Sequence, residues 1–297
     1  MSIQIQQQDC IGCGTCAEIC PADVFEMDDG RPVLADESAC TLCGVCADQC
    51  PTDAIDIRKE RNGTEYDVEF EAEQRYVDWA ESLQEILDLE KHPVGIKLVN
   101  GNGDVPEEVK QLDVPVRHCV SIHMGSLGET FYLPAEGHAC AAAKAALGIS
   151  ELPEKVASGK VPHMHGLASS QEAAARIMEE VPRTSEETAG TLIGPLGNAP
   201  FEPDVVVLVL RPEQAMWVAN SMLFEDGGPR VTANFAGMQA SCGDVTALPY
   251  EEGEVNFSLG CYGCRSAGKL GASEMYVGIP RGEMAGSFRA SRASRGR

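Results

Sequence analysis

The chain has 297 residues, of which 43% are hydrophobic, so it is long enough for two globular domains with a buried core in the larger one. Its 46 acidic and 23 basic side chains give a formal net charge of −23, which argues against nucleic acid and anionic membranes as partners and favours adaptation to high salt. The N-terminus lacks the basic and apolar segments of a secretory signal, and the longest aliphatic run, Val205–Leu210, is too short to span a bilayer, so we expect a cytoplasmic protein.

Eight of the 13 cysteines lie within the first fifty residues, in two runs of identical spacing. The first run is Cys10, Cys13, Cys16 and Cys20, followed by Pro21, and the second is Cys40, Cys43, Cys46 and Cys50, followed by Pro51. The shared spacing, C-x2-C-x2-C-x3-C-P, is typical of bacterial sequences whose thiolates hold [4Fe–4S] clusters. Glycines between the cysteines let the backbone approach the sulfur atoms closely. Two zinc sites or a disulfide framework are the alternatives, but neither requires both runs to agree at every position.

Residues 1 to about 60 resemble a dicluster ferredoxin domain, both in these runs and in the similar segments 22–25 and 52–55 that follow them. The resemblance implies two [4Fe–4S] clusters, which pass single electrons. In such domains the fourth cysteine of each run ligates the cluster that the other run holds. The implied ligand sets are Cys10, Cys13, Cys16 and Cys50 for one cluster, and Cys40, Cys43, Cys46 and Cys20 for the other.

Along the chain, the sequence indicates a ferredoxin domain at 1–59, an acidic linker at 60–75, a larger domain at 76–284 and a flexible basic tail at 285–297. In the larger domain, the apolar rhythm from Glu73 predicts a helix that ends before Pro93. Strands are predicted at 94–99, 130–133, 191–193, 205–210 and 275–279, and further helices at 136–147, 171–180 and 213–223. This order predicts an α+β fold, with a small ferredoxin-like dicluster domain followed by a larger mixed α/β domain.

Five cysteines lie outside the ferredoxin-like part: Cys119, Cys140, Cys242, Cys261 and Cys264. Cys261 and Cys264 form a C-x-x-C pair, and Cys140 lies near the start of a predicted helix, where the helix dipole favours a thiolate. We predict that at least three of the five converge on one pocket with His118 or His138. The expected site holds a third Fe–S cluster or another metal on Cys119, Cys140, Cys261 and Cys264, with Cys242 as an alternative ligand. A redox-active dithiol or inert buried cysteines are the alternatives.

The region from about 76 to 284 resembles the prokaryotic family called domain of unknown function 169. The matching stretches are residues 93–97, 117–119, 137–140, 201–206, 256–261 and 274–280. The resemblance implies a known kind of domain and no particular reaction.

Two hypotheses for the function follow. In the first, the protein is an Fe–S oxidoreductase whose two clusters feed electrons to the C-terminal cysteine site, where His118, His138 and Arg265 supply protons or hold an anionic substrate. A redox partner protein and a small-molecule substrate would then be its partners. In the second, the chain is a non-enzymatic electron carrier or a docking subunit of a larger redox complex.

Overall fold

The computed structural model describes residues 2–20, 24–36, 45–48, 50–52, 54–58, 68–100, 105–166, 168–225, 231–235 and 237–283. The chain divides into two compact units, Met1–Asp67 and Val68–Arg297, and each is described by itself. Cys40, Cys43, the predicted linker up to residue 67 and the predicted tail lie outside the described residues.

The described residues of the N-terminal unit form two antiparallel strand pairs and two short helices. The strands are β1 (Ser2–Ile5), β2 (Phe25–Asp28), β3 (Arg31–Leu34) and β4 (Ile55–Arg58), and the helices are α1 (Thr15–Ile19) and α2 (Val45–Asp48). Strand β1 pairs with β4, and β2 pairs with β3 across a two-residue turn at Asp29 and Gly30. Both turn residues have positive φ, at 48° and 77°, as a tight hairpin of this length requires. Ile3, Phe25 and Ile55 form a small core together with the buried cysteines of the two helices.

The C-terminal unit is built around one six-stranded sheet, in which all neighbouring strands run antiparallel. Its strands are β5 (Val94–Val99), β6 (Phe131–Pro134), β7 (Gly190–Pro195), β8 (Val205–Leu210), β9 (Asn256–Ser258) and β10 (Met275–Pro280). Their spatial order is β6, β7, β5, β8, β10 and β9. Helices and an antiparallel sheet in this arrangement confirm the predicted α+β class.

Nine α-helices surround this sheet in the described part of the C-terminal unit. They are α3 (Val68–Leu87), α4 (His118–Ser126), α5 (Ala141–Ala146), α6 (Glu154–Ala157), α7 (Lys160–Met164), α8 (Gln171–Glu179), α9 (Pro212–Glu225), α10 (Leu248–Glu252) and α11 (Tyr262–Ser266). A π-helical turn at Gly243–Ala247 leads directly into α10. Across the described residues, no helix combines the length and the apolar content that a bilayer span demands.

Both faces of the sheet are covered by helices, and side chains along β8 alternate between the two faces. Leu208 packs in one core with Leu83 of α3, whereas its neighbour Val207 packs in a second core with Ile122 of α4. Burial on both faces explains why β8 is an unbroken aliphatic run. Cys119 and Cys264 belong to the second core, so the C-terminal cysteines gather on the α4 side of the sheet.

Candidate functional site

Five cysteines of the N-terminal unit line one pocket although they come from both runs. Cys10, Cys13 and Cys16 line this pocket together with Cys50 of the second run. Cys46 of α2 also reaches it, whereas Cys20 is not among the described residues that line it. The pocket therefore contains all four cysteines of the first predicted ligand set.

Hydrogen bonds from the protein reach the sulfurs of these cysteines. The backbone N–H of Gly12 donates to Cys10 Sγ (3.4 Å), and the hydroxyl of Thr15 donates to Cys13 Sγ (3.4 Å). The bond from Thr15 lowers the pKa of Cys13, which favours its thiolate form. Thiolates that accept such bonds are the ligands that an iron–sulfur cluster requires, so this donor set fits a [4Fe–4S] cluster. When bound, the cluster supplies one-electron transfer.

The fourth cysteine of each run has the same local environment. The backbone N–H of Val24 donates to Cys20 Sγ (3.5 Å), and that of Ala54 donates to Cys50 Sγ (3.3 Å). In both cases the donor lies four residues after the cysteine. The two fourth cysteines thus accept the same kind of backbone hydrogen bond.

In the C-terminal unit, three cysteine sulfurs meet at one buried point. The Sγ atoms of Cys261 and Cys264 are 3.5 Å apart, and the thiol of Cys119 also hydrogen-bonds to Cys264. The Oγ atom of Ser241 lies 3.6 Å from the Sγ of Cys264. Cys119 is on the first turn of α4, Cys261 caps α11 and Cys264 lies within α11. The contact between α4 and α11 therefore brings the cysteines together.

The two remaining cysteines lie beside this group. Cys242 is buried next to the π-helical turn. Desolvation raises the pKa of its thiol, and the nearby charges of Cys140 and Cys264 raise it further. Cys140 directly precedes α5 and packs in the same apolar cluster as Cys242 and Cys261. We use the name thiol cluster for Cys119, Cys140, Cys242, Cys261 and Cys264.

Hydrogen bonding within the thiol cluster favours a thiolate at Cys264. The thiols of Cys119 and Cys261 donate to its sulfur, and these bonds lower the pKa of Cys264 below its usual value. The same bonds, together with burial, raise the pKa of Cys119 and of Cys261. The arrangement thus favours a negative charge at Cys264 over one at Cys119 or Cys261.

His118 and His138 form a buried pair near the thiol cluster. Their rings stack with centroids 6.2 Å apart, and each Nε2 atom bonds a threonine hydroxyl, on Thr246 (3.0 Å) and Thr191 (3.3 Å) respectively. Both Nδ1 atoms are buried and have no hydrogen-bond partner among the described residues. Desolvation lowers the pKa of His118 to about 3 and that of His138 to about 4, so both rings are neutral at pH 7.

Arg265, which we expected to hold an anionic substrate, bonds to the protein backbone. Its guanidinium donates to the carbonyl oxygens of Gly271 (2.7 Å), Leu259 (2.5 Å) and Glu274 (3.3 Å). These bonds fasten the loops on either side of α11. In this position Arg265 directs three hydrogen bonds to the protein backbone and stabilises the site.

Sequence reasoning missed Asp244, a buried carboxyl near the cluster. Ser258 donates to its Oδ2 atom at 3.1 Å, and burial raises its pKa to about 7. The charge of Cys264 adds to this rise, so the two groups are close in space. Its position two residues after Cys242 was the available signal, but one acidic residue in an acidic chain does not stand out.

Within the described part of the chain, no three His, Cys, Asp or Glu side chains are placed to hold a metal ion, either in the thiol cluster or in the N-terminal unit. The sulfurs of Cys261 and Cys264 are in direct contact as they stand.

Comparisons with known proteins match both parts of the chain. A family model described as an uncharacterised ArCR family, DUF169, matches residues 82–286, and a model of a 4Fe–4S dicluster domain matches residues 9–55. Both resemblances noted in the sequence are confirmed by these matches. An uncharacterised protein of Methanocaldococcus jannaschii is 32% identical over 203 residues, which cover 68% of this chain and 87% of that protein.

Two ferredoxins match the N-terminal region. A ferredoxin of Thermococcus litoralis is 62% identical over 29 residues, which cover 10% of this chain and 48% of the ferredoxin. Ferredoxin-2 of Desulfomicrobium norvegicum is 41% identical over 32 residues, which cover 11% of this chain and 54% of that protein. The matches thus span about half of each ferredoxin. No solved structure matches the chain significantly.

Proposed function

The chain belongs to the DUF169 family and carries a ferredoxin-type 4Fe–4S domain in front of it, and from this premise we propose that it is an iron–sulfur oxidoreductase. The ferredoxin-type domain supports iron–sulfur electron transfer. In our proposal, two [4Fe–4S] clusters pass single electrons to the thiol cluster of the DUF169 domain. A redox partner protein reduces the clusters, and a substrate reacts at the thiol cluster.

The observation that carries this proposal is the meeting of Cys119, Cys261 and Cys264 at one buried point beside a neutral histidine pair. Cysteines that only fill a core have no need to place their sulfurs in contact, because each could pack among aliphatic side chains. Grouped sulfurs can take part in electron transfer, either as ligands of a metal or third Fe–S cluster or, once two of them are oxidised to a disulfide, by accepting electrons into that bond.

The second candidate function is a pure electron carrier, in which the DUF169 domain only docks a larger redox enzyme. The position of Arg265 favours this alternative, because its guanidinium donates to the backbone carbonyls of Gly271, Leu259 and Glu274 and is thereby engaged within the protein. In a carrier, the thiol cluster would take up no electrons.

Counting the electrons that the protein accepts distinguishes the two functions. We expect anaerobic reductive titration of the oxidised full chain to consume more than one electron per [4Fe–4S] cluster, because a disulfide or metal at the thiol cluster accepts the remainder. Uptake should fall to one electron per cluster in Cys264→Ser. Electron uptake should stay at the wild-type value in Ser266→Ala, which is the matched control. Ser266 lies on the same helix, and its hydroxyl donates to the Tyr262 carbonyl.

Iron and sulfide analysis of the same samples tests for a metal. About eight irons per chain indicates the two N-terminal clusters alone, and about twelve indicates a third cluster. Wild-type protein that accepts only one electron per cluster would contradict the oxidoreductase proposal and favour the carrier.

A further inference from the structure

We propose that Cys261 and Cys264 are a redox-active dithiol that reduces disulfide substrates. This inference rests on the proposed function and names its substrate class. It assigns the chemistry of the thiol cluster to the sulfur atoms themselves, without a bound metal.

The geometry of Cys261 and Cys264 suits a disulfide bond. The two sulfurs are 3.5 Å apart, and a disulfide bond requires about 2.05 Å, so a closure of roughly 1.5 Å would join them. Both belong to one short segment, since Cys261 caps α11 and Cys264 lies on its first turn. The bond would therefore join two positions three residues apart in one segment.

The two cysteines differ in their exposure to solvent. Cys264 is only 1% exposed, whereas Cys261 is partly exposed. The neighbours of Cys261 in sequence, Leu259 and Tyr262, are apolar side chains that are 51% and 67% exposed. An incoming organic disulfide can therefore reach Cys261, and Cys264 is protected from it.

The contact between the two sulfurs also provides a path for a proton. The thiol of Cys261 donates to the Sγ of Cys264, which lies 3.6 Å from the Oγ of Ser241. When the pair holds a single proton, transfer of that proton along this contact places the thiolate on Cys261, the less buried of the two residues. The pair thus contains both the attacking sulfur and the sulfur that takes its proton.

The reaction proceeds by two thiol–disulfide exchanges. The Cys261 thiolate attacks one sulfur of the substrate disulfide, which breaks its S–S bond and releases the first substrate thiolate. Cys264 then loses its proton to that thiolate and attacks Cys261 Sγ, which releases the second substrate thiolate and leaves Cys261 and Cys264 joined as a disulfide.

Two electrons and two protons return the pair to thiols. Two [4Fe–4S] clusters held by the N-terminal cysteine runs would supply the two electrons, one each, and water would supply the protons. In total, one substrate disulfide, two electrons and two protons are converted into two substrate thiols. A dicluster unit matches this demand, because its two one-electron centres together hold the two electrons that one disulfide consumes.

The first test locates the disulfide without measuring activity. Full-length protein with its clusters is equilibrated anaerobically in dithiothreitol buffers of graded potential, alkylated and analysed by peptide mass spectrometry. We expect one disulfide joining Cys261 and Cys264, formed and lost reversibly with a two-electron dependence on potential. Ser266→Ala should behave as wild type, and Cys264→Ser should show no such disulfide.

The second test uses oxidised glutathione and insulin as a small and a protein disulfide, with reduced full-length protein as the electron source. The inference is supported if wild-type protein reduces either probe and both Cys261→Ser and Cys264→Ser fail to do so. The probe that is reduced faster shows whether the substrate is a small-molecule or a protein disulfide. Reduction of neither probe, or equal rates in the variants, overturns it.

The outcomes also separate this inference from the proposed function. A protein that takes up additional electrons but contains additional iron bound through Cys261 and Cys264 would keep the oxidoreductase proposal and overturn the dithiol. A protein that takes up only one electron per cluster would overturn both.

Discussion

At the scale of single residues, the pocket shared by Cys10, Cys13, Cys16 and Cys50 leads to a prediction about crossed ligands. We expect Cys50→Ser to damage the cluster held by the first run, because Cys50 lies in the pocket of that run. Cys20→Ser should damage the other cluster instead, although Cys20 is nearer the first run in sequence. Electron paramagnetic resonance of the two reduced variants would check this.

Each variant is the control for the other in this comparison. If Cys20→Ser removed only the signal of the first-run cluster, or if both variants lost the same cluster, the crossed ligand sets would be wrong. Iron content should fall in both variants, so the spectra decide the assignment.

The buried histidine pair predicts sensitivity to acid. Burial lowers the pKa of His118 from 6.5 to about 3, so below pH 6.5 the unfolded chain binds a proton that the folded chain does not. Stability is therefore complete above pH 6.5 and falls as the pH decreases towards 3. At pH 5 the loss from His118 is about 2 kcal/mol, from 1.36 kcal/mol per pH unit.

Tryptophan fluorescence can follow this unfolding, because Trp79 and Trp217 both belong to the C-terminal unit. We expect His118→Gln to reduce the difference in unfolding free energy between pH 7 and pH 5. His165→Gln, at an exposed histidine, should leave that difference unchanged. Equal pH dependence in wild type and His118→Gln would contradict the prediction.

At the scale of elements, the approach of α11 to α4 depends on Gly268. A Cβ atom at this position would lie 2.8 Å from the Cβ of Cys119 and 2.8 Å from the carbonyl oxygen of Cys264. Both distances are shorter than packed atoms tolerate, so Gly268→Ala should push the two helices apart. We expect a loss of about 1–3 kcal/mol in unfolding free energy, measured by denaturant titration.

The matched control is Gly282→Ala, because a Cβ atom there has no neighbour within 4 Å. We expect this variant to unfold within about 0.5 kcal/mol of wild type. If Gly268→Ala were as stable as the control, the contact between α4 and α11 would be looser than the structure indicates.

The elements predicted from the sequence were those with a clear apolar pattern. The strand Val205–Leu210 and the helix Gln171–Glu179 were recognised because one is a continuous aliphatic run and the other has a single apolar stripe. The helix His118–Ser126 was missed, since it buries His118 and Ser121 as well as its apolar residues and therefore lacks such a stripe.

Prediction of the thiol cluster depended on chemistry more than on pattern. The cysteine content identified the candidates, but Ser241 and Asp244 could not be recognised, because only the fold brings them to Cys264.

The helix predicted at 136–147 is shorter than expected, at Ala141–Ala146. Its first residues instead adopt a 3-10 turn and an extended segment, in which His138 bridges to Val116.

At the scale of the whole molecule, the net charge of −23 is the dominant feature. Forty-six acidic side chains repel one another in the compact state, and the unfolded chain relieves this repulsion by spreading the charges. The Debye length is about 30 Å at 0.01 M salt and about 10 Å at 0.1 M, so repulsion across a domain is screened only at the higher concentration. We propose on this basis that the protein is adapted to high salt.

The melting temperature should therefore fall steeply below about 0.1 M KCl and rise towards molar KCl. Salt screens charge, so sorbitol at matched osmolality should not raise the melting temperature at low salt.

A second series at a pH near the sequence pI of about 4.5 would remove the net charge, but protonation of His118 acts there as well. The comparison is therefore cleanest at pH 7 and above, where both histidines are neutral in the folded and unfolded states. A melting temperature that stays constant from dilute buffer to molar KCl would show that the acidic surface does not limit stability.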